Sequence, residues 1–368
     1  MPLEIRLVKD SEYKEVNDFF NKARNINHKE PRRTYDQFCW EFINGPWGKA
    51  IYAGAWEVDE GKNPTLVGIQ CLIPLKMISS DGKCVLTAKG EDSLIDISAF
   101  FRYRKTDILR ELQTLIFEDC DKRGIELVWG FNTMYATNKR LGFENTVKSY
   151  YYVLVVKPGQ AFRNSIIQKP GISTFRKYRI AALSAISYLF SLKRLLFISS
   201  IGSYQFNSGI DENAGLFRRA SFPDRLFLLL QDKAYLKWRI QDNPYPVKYR
   251  SYQLLDKDNV LQAQVICSII KDVAFIEQTL FDKRLKKRTV RFILKKVIRS
   301  LKNEDICMVR YIGFKSNTPN TEEIKMFKNI GFVHTKKGEQ VCFINLAEDV
   351  TINPENVYLS RLYKQGIN

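Results

Sequence analysis

Val128-Trp129-Gly130-Phe131, followed by Arg140-Leu141-Gly142-Phe143, returns later in the chain as Tyr311-Ile312-Gly313-Phe314, followed by Asn329-Ile330-Gly331-Phe332. A second pair of segments agrees: Trp40-Glu41-Phe42-Ile43-Asn44-Gly45-Pro46 and Trp238-Arg239-Ile240-Gln241-Asp242-Asn243-Pro244. The copies are offset by 198 residues between Trp40 and Trp238 and by 189 between Gly142 and Gly331. Solenoid units repeat every 20–50 residues or so; an offset near 190 is the size of a whole domain. The 368-residue chain therefore reads as two tandem copies of one α/β fold, each with its own core. The expected bounds are an N-terminal domain over 1–157, a helical linker over 158–219 and a C-terminal domain over 220–368.

Around those motifs the periodicity predicts a strand at Leu3–Val8 and an amphipathic helix at Ser11–Arg24. Strands follow at Ala50–Trp56, Val67–Met77 and Cys84–Ile97, turned by Gly61-Lys62-Asn63-Pro64 and Ser79-Ser80-Asp81-Gly82. Asp107 caps a helix whose apolar face is Ile108, Leu112, Ile116 and Cys120, and Gly124 ends it. A buried strand at Ile125–Phe131, a short helix ending at Arg140–Phe143 and a strand at Tyr150–Val156 complete the first copy. The second copy predicts strands near 248–255, 261–270 and 273–280, the helix Val290–Leu301, a strand at Ile306–Gly313, a helix near Thr321–Asn329 and a last strand near Gln340–Leu346.

Arg176–Ser200 is apolar but interrupted by Arg179, Lys193 and Arg194. A membrane-spanning helix needs about 20 predominantly apolar residues, so no integral span is expected. Two readings stay open: a linker helix or helical pair packed between the domains, and an amphipathic helix lying on a membrane surface.

The formal charge is +18, from 58 basic and 40 acidic residues, and ten of the basic residues fall between Lys283 and Lys302. A solvated helix face, a phosphate-bearing ligand and a nucleic acid each account for such a run. Seven cysteines are scattered without a CxxC pair, as in a cytoplasmic protein with reduced thiols. The only histidines are His28 and His334, which argues against a His-based zinc site or a Ser-His-Asp triad, and no metal is expected. Trp40 and Trp238 read as core anchors of the repeat rather than ligand platforms. Tyr150-Tyr151-Tyr152 alternates along a strand, so one or two of the three are expected to be buried and another to line a cleft.

The element order and four segments resemble the GNAT superfamily of N-acyltransferases, in particular the two-domain proteins of bacterial surface-polysaccharide loci. Lys89-Gly90-Glu91-Asp92-Ser93-Leu94 is similar to that family's fourth strand, and Arg104-Lys105-Thr106-Asp107-Ile108 to its Arg-Gly-x-Gly-x-Gly/Ala turn. Gly124-Ile125-Glu126-Leu127-Val128-Trp129-Gly130-Phe131-Asn132 looks like the fifth strand and its exit, and Lys139-Arg140-Leu141-Gly142-Phe143 like the usual Lys-Leu-Gly-Phe ending. The likeness covers about 1–156, with a degenerate copy over about 220–346.

The resemblance implies an enzyme that binds acyl-CoA as co-substrate between splayed fourth and fifth strands, with the pyrophosphate at a helix N-terminus. It implies direct attack by an amine on the thioester, with a proton acceptor and an amide-lined oxyanion site. Asp92 is the candidate base with Glu91 behind it. Adjacent strand residues point to opposite faces, so only one of the two is expected to face the cleft. Tyr135 is the candidate acid, because Asn138 stands where the family usually has tyrosine. Arg102, Arg104, Lys105, Thr106, Asn132 and Asn138 are the expected CoA contacts; Trp129, Tyr151, Lys286 and Arg288 are the expected acceptor contacts. The loop's glycine positions hold Lys105 and Asp107. Either Arg102, Arg104 and Lys105 offset the Asp107 carboxylate, or the phosphates take another path, or this loop has lost the cofactor.

The implied reaction moves an acetyl or larger acyl group, such as hydroxybutanoyl, to the amine of a nucleotide-linked amino sugar, for example a dTDP-sugar, in polysaccharide biosynthesis. The alternatives are a Fem-type aminoacyl-tRNA-dependent or other N-acyltransferase, and a non-catalytic pair that binds nucleic acid or an anionic membrane. No protein partner is implied.

Overall fold

The computed structural model describes residues 2–24, 32–79, 81–132, 135–143, 146–167, 173, 175, 178, 181–182, 185–186, 188–189, 205–208, 226–282, 284–316, 318–348, 352–353 and 355–363. The first part of the chain forms β1 (Leu3–Leu7), α1 (Tyr13–Arg24) and α2 (Tyr35–Phe38), which runs on as a π-helical turn at Cys39–Ile43. It continues as β2 (Ile51–Glu57), β3 (Thr65–Ser79), β4 (Cys84–Ile95), α3 (Ile97–Arg102) and α4 (Ile108–Lys122). Then come β5 (Leu127–Asn132), α5 (Tyr135–Arg140), β6 (Thr146–Val155) and α6 (Pro158–Ile167).

The second part forms β7 (Gln205–Ser208), β8 (Phe227–Leu229) and α7 (Lys233–Leu236), which also continues as a π-helical turn, Lys237–Gln241. It is completed by β9 (Lys248–Leu255), β10 (Leu261–Ile270), β11 (Val273–Phe281), α8 (Lys287–Asn303), β12 (Met308–Lys315), α9 (Thr318–Asn329) and β13 (Val333–Asn345). A short 3-10 turn, Arg361–Tyr363, closes the described chain.

The strands make one mixed sheet in the order β1-β2-β3-β4-β5-β13-β6-β12-β11-β10-β9-β7, with β8 paired to β3. This order is symmetric about the β13–β6 pair, and each side contains one parallel pair, β4–β5 and β11–β12. The last strand of each part crosses over. β6 pairs with β12 and β13, while β13 pairs with β5 and β6. The sheet is continuous across the expected domain boundary, and its topology does not resolve two discrete domains.

Helix formation follows the sequence periodicity. On α4, Ile108, Leu112, Ile116 and Cys120 face inward, the Asp107 side chain accepts from Arg110 N, and the chain leaves through Gly124 at a φ of +68°. On α8, Val290, Ile293, Leu294, Val297, Ile298 and Leu301 are buried, leaving its Lys and Arg residues to the outer face. α4 covers β1–β3 with one apolar cluster, and α8 covers the β10 side with another. A third and larger cluster fills the opposite side and draws residues from both parts. At its centre Trp40 and Trp238 stack at 5.2 Å and 25°, and each indole N–H donates to the other's backbone carbonyl at 2.8 Å. Both tryptophans are buried.

Of the expected linker, α6 and the edge strand β7 are described, and most of the rest lies outside the described residues. No described helix is long and apolar enough to cross a membrane. Among the described residues no three His, Cys, Asp or Glu side chains converge as a metal-binding group.

Candidate functional site

β4 and β5 run as a parallel pair only from Thr87/Leu127 to Gly90/Gly130. Beyond that point β4 continues to Ile95 and β5 to Asn132 with no further pairing between them, because the strands diverge. The last pair is glycine on both sides. A Cβ on Gly130 would lie 3.4–3.6 Å from the Gly90 backbone, so the strands approach closely just before they part. β4 also carries a bulge here: Cys71 of β3 faces Glu91, but Ile69 faces Leu94. Asp92 sits in the bulge with φ +40°, a conformation that non-glycine residues rarely adopt.

The bulge breaks strand alternation between Glu91 and Asp92. Asp92 Oδ2 accepts from Arg33 Nη1 at 2.8 Å and from Tyr52 Oη at 2.9 Å. The Arg33 and Asp92 side chains are only 6% and 7% exposed. Arg33 is fixed from behind, its Nε donating to Asn17 Oδ1 at 2.9 Å while its guanidinium lies over Phe20, Phe38 and Phe42. Glu91 turns to the fully buried Lys89, with which it pairs, and keeps 27% of its side chain exposed.

Glu41, on the π-helical turn, completes the group. It is buried, Tyr245 Oη of the second part donates to it at 3.4 Å, and burial followed by the Glu91 and Asp92 charges pushes its carboxyl up to about 7. Burial also raises the Asp92 carboxyl, with Arg33 opposing. Three carboxyls thus face two cations, Arg33 and Lys89, and Glu41 retains its proton up to near-neutral pH. Sequence reading missed Arg33, Glu41, Tyr52 and Lys89. The signal within reach was the tryptophan repeat pair, where Glu41 of one copy stands opposite Arg239 of the other, a charge reversal beside the two repeated tryptophans.

The loop from Tyr103 to Asp107 leads into α4. Arg104 and Lys105 are exposed there, and the Thr106 amide donates to Tyr103 O at 2.8 Å. The Asp107 carboxylate is held by Arg140 Nη1 at 2.7 Å, so the cation that offsets it comes from the Arg-Leu-Gly-Phe motif. Arg102 instead pairs with Glu57 of β2. Next to the loop, α3 exposes Ile97, Phe100 and Phe101 by 66%, 53% and 66%.

Trp129 is fully buried, its indole N–H donating to Thr87 Oγ1 at 3.1 Å, and it has no surface to offer an acceptor. Tyr152 is buried, whereas Tyr150 and Tyr151 are half-buried on β6, with Lys336 over the Tyr151 ring. Lys286 and Arg288 are exposed at the start of α8, towards the other end of the sheet from α4. Asn132 ends β5, and Tyr135 and Asn138 belong to α5; their side chains lie outside the described residues.

The second part repeats the splay. β11 and β12 pair from Val273/Met308 to Ile276/Tyr311, and a bulge in β11 follows at once, at Glu277. Here the chain's own end fills the gap. Arg361 pairs with Glu277 and lies 4.2 Å over Phe275, and Tyr358 Oη donates to Thr279 O at 3.1 Å.

No family sequence model matches the chain, and no curated relative does. Among solved structures it is similar to a probable N-acyltransferase from Enterococcus faecalis, with a TM-score of 0.63 at 10% identity over 94% of this chain and 72% of that one. It is also similar to a tandem GNAT protein of the clavulanic acid biosynthesis pathway, with a TM-score of 0.55 at 10% identity over 95% and 100% of the two chains. A third is the myristoyl-CoA-bound N-myristoyltransferase of Saccharomyces cerevisiae, with a TM-score of 0.56 at 12% identity over 98% and 90%. At these identities the likeness is one of fold, the GNAT acyltransferase fold.

Proposed function

We propose that this chain is an acyl-CoA-dependent N-acyltransferase of the GNAT type and that the β4–β5 cleft holds the donor. The observation that carries the reading is the Gly90/Gly130 splay with its Asp92 bulge, in a sheet of this fold, opening beside the start of α4. The diverging edges of β4 and β5 leave backbone N–H and C=O groups for an extended pantetheine arm to pair with, as an added strand would. The amides of the first turn of α4, with Arg104 and Lys105, are the natural pyrophosphate holders, and Arg140 neutralises Asp107 there. The apolar side chains of α3 are placed to cover the donor's far end. Bound acyl-CoA supplies the thioester.

The chain's own groups then do three things. The bulge amides present donors where negative charge develops on the attacked carbonyl. Asp92, Glu91 and Glu41 form the proton-accepting group, with Arg33 and Tyr52 holding Asp92 in place. Tyr135, at the start of α5, is the proposed acid for the leaving thiolate. The second cleft is filled by the chain's own Tyr358–Arg361, which favours one donor site per chain, in the first part. For the acceptor we propose the amine of a nucleotide-linked sugar, by resemblance to the polysaccharide-locus proteins, with Tyr151 on the acceptor side; Lys286 and Arg288 lie too far along the sheet to share that site. Two tandem domains, 1–157 and 220–368, acting in the cytoplasm, fit this reading.

Calorimetric titration of the chain with CoA at moderate and high salt tests it. A one-site isotherm that survives salt is expected; no heat, or heat lost with salt, overturns the donor site. Asp92→Asn should lower acyl transfer at least a hundredfold, the usual scale of general-base catalysis. Undiminished transfer removes the base and leaves the donor site standing.

A further inference from the structure

Between Asp282 and Glu304 the chain holds ten Lys or Arg residues and no acidic one. α8 occupies most of this stretch, and its apolar face is committed to the core. On the opposite face Arg288, Arg291, Lys295, Arg299 and Lys302 follow one another at spacings of three and four residues. At 3.6 residues per turn all five fall within an arc of about 80°. Four of them are exposed and Lys295 is half-buried. The result is a stripe of one cation per turn, about 21 Å long.

Such a helix works against its own stability. Lys287 and Arg291, Arg291 and Lys295, and Lys295 and Arg299 are like charges one turn apart, which repel. The first turn carries no acid, and Lys286 stands at the N-cap with no side-chain cap hydrogen bond. Cations there oppose the helix dipole; Lys287 reaches Glu322 of α9 at 3.6 Å. α4, which occupies the matching place in the first part, does the reverse. It has Asp107 as its cap, Glu111 in its first turn and Lys122 in its last. A pattern kept at the expense of local stability points to a task outside the fold.

We propose that the outer face of α8 binds the phosphodiester backbone of a nucleic acid. Length selects a polymer: a diphosphate engages one end of a helix, whereas cations along about four turns match a run of phosphates. The chemistry selects nucleic acid over a lipid surface. An interfacial helix buries an apolar face in the bilayer, and α8 exposes no apolar residue. Phosphate contacts carry no sequence information, so the binding is sequence-independent. α8 covers the other end of the sheet from α4, so it is independent of the donor site as well.

The test is fluorescence anisotropy of the full chain with labelled duplex DNA, duplex RNA and single strands of roughly 20 nucleotides, between about 50 and 200 mM salt. Binding is expected at low salt, with log K falling against log salt at a slope of about −4, and the tightest of the three identifies the nucleic acid. Arg291→Glu should weaken binding on the order of tenfold and flatten the slope by about 1–2. It also turns the repulsions with Lys287 and Lys295 into attractions, so the melting temperature should hold or rise, and lost binding is not lost folding. Lys257→Gln, at an exposed lysine away from α8, should bind as the wild type does. Absence of binding to all three at low salt overturns the proposal, as does unchanged binding by Arg291→Glu. An equal loss in Lys257→Gln would mean diffuse charge and also overturns it. So does preference for phosphatidylglycerol vesicles over nucleic acid, which would make α8 a lipid contact. CoA titration of Arg291→Glu separates this outcome from that of the donor site: unchanged affinity is expected, and a loss would assign the stripe to the donor and overturn the proposal.

Discussion

Arg33, Glu41, Lys89 and Asp92 carry ionisable groups where water hardly reaches, and each holds its neighbours in place. Removing one partner of the buried Arg33–Asp92 pair strands a charge, which costs roughly 3–5 kcal/mol. Arg33→Ala should therefore lower the free energy of unfolding by about that amount in urea titration, far more than loss of an exposed ion pair. The same site predicts a pH dependence. The Glu41 carboxyl titrates near 7 in the folded chain and near 4.5 when free, so between those values the folded state binds more protons than the unfolded one. Stability is then highest below about pH 4.5 as far as this group is concerned, and falls as pH rises through 7, by a total on the order of 3 kcal/mol. The buried Glu323, pushed up to about 8, acts with the same sign. Glu41→Gln should flatten the pH 5–7 part of a melting-temperature profile and leave the pH 7–8 part; an unchanged slope would mean that Glu41 is ionised throughout.

At the level of elements, the turn from β4 to α4 decides whether this loop can hold a pyrophosphate without the usual glycines. Asp107 serves as N-cap, and its charge is countered by Arg140 from α5. Asn caps a helix as well as Asp does, so Asp107→Asn should keep the helix and strengthen CoA binding severalfold by removing negative charge. Arg140→Ala should weaken binding by about tenfold, the scale of one close charge at a partly exposed site. Both are read by calorimetry, and equal affinities in all three proteins would place the phosphates elsewhere. Helix start, apolar face and stop were legible in 107–124 because capping and 3.6-residue periodicity are local. α3 was not, since Ile97, Phe100 and Phe101 extend the apolar run of β4 and read as more strand.

Across the whole molecule the two parts are joined by the β13–β6 centre of the sheet and by the reciprocal Trp40–Trp238 contact. Trp40→Ala and Trp238→Ala should each cost about 3–5 kcal/mol. Because each indole bonds to the other's backbone and stacks on its ring, the double variant should cost less than their sum by at least about 1 kcal/mol. Additive losses in denaturant titration would mean that the two sides are held together by other contacts. The buried C-terminal stretch, with Ile352, Val357, Tyr358, Leu359, Leu362 and Tyr363, ties the same centre together. It has no regular period, which is why the sequence reading stopped near Leu346.

Apolar period, caps and turn residues determined most of the elements, and the repeated Gly-Phe and Trp motifs pointed to an internal repeat. Gly142 and Gly331, at matching places in the two copies, both take a positive φ, of +89° and +112°. Asp92 and Glu91 were legible as carboxyls on a central strand. Only the tertiary structure decided that β6 and β13 exchange sides, that a bulge turns Asp92 towards Arg33, that Glu41 arrives from a distant turn, and that Arg361 fills the second cleft. The physical reason is a difference of range. Which face of a segment avoids water is written in its own alternation, whereas which strand it pairs with, and which charge meets which, is settled by complementarity between segments far apart in the chain.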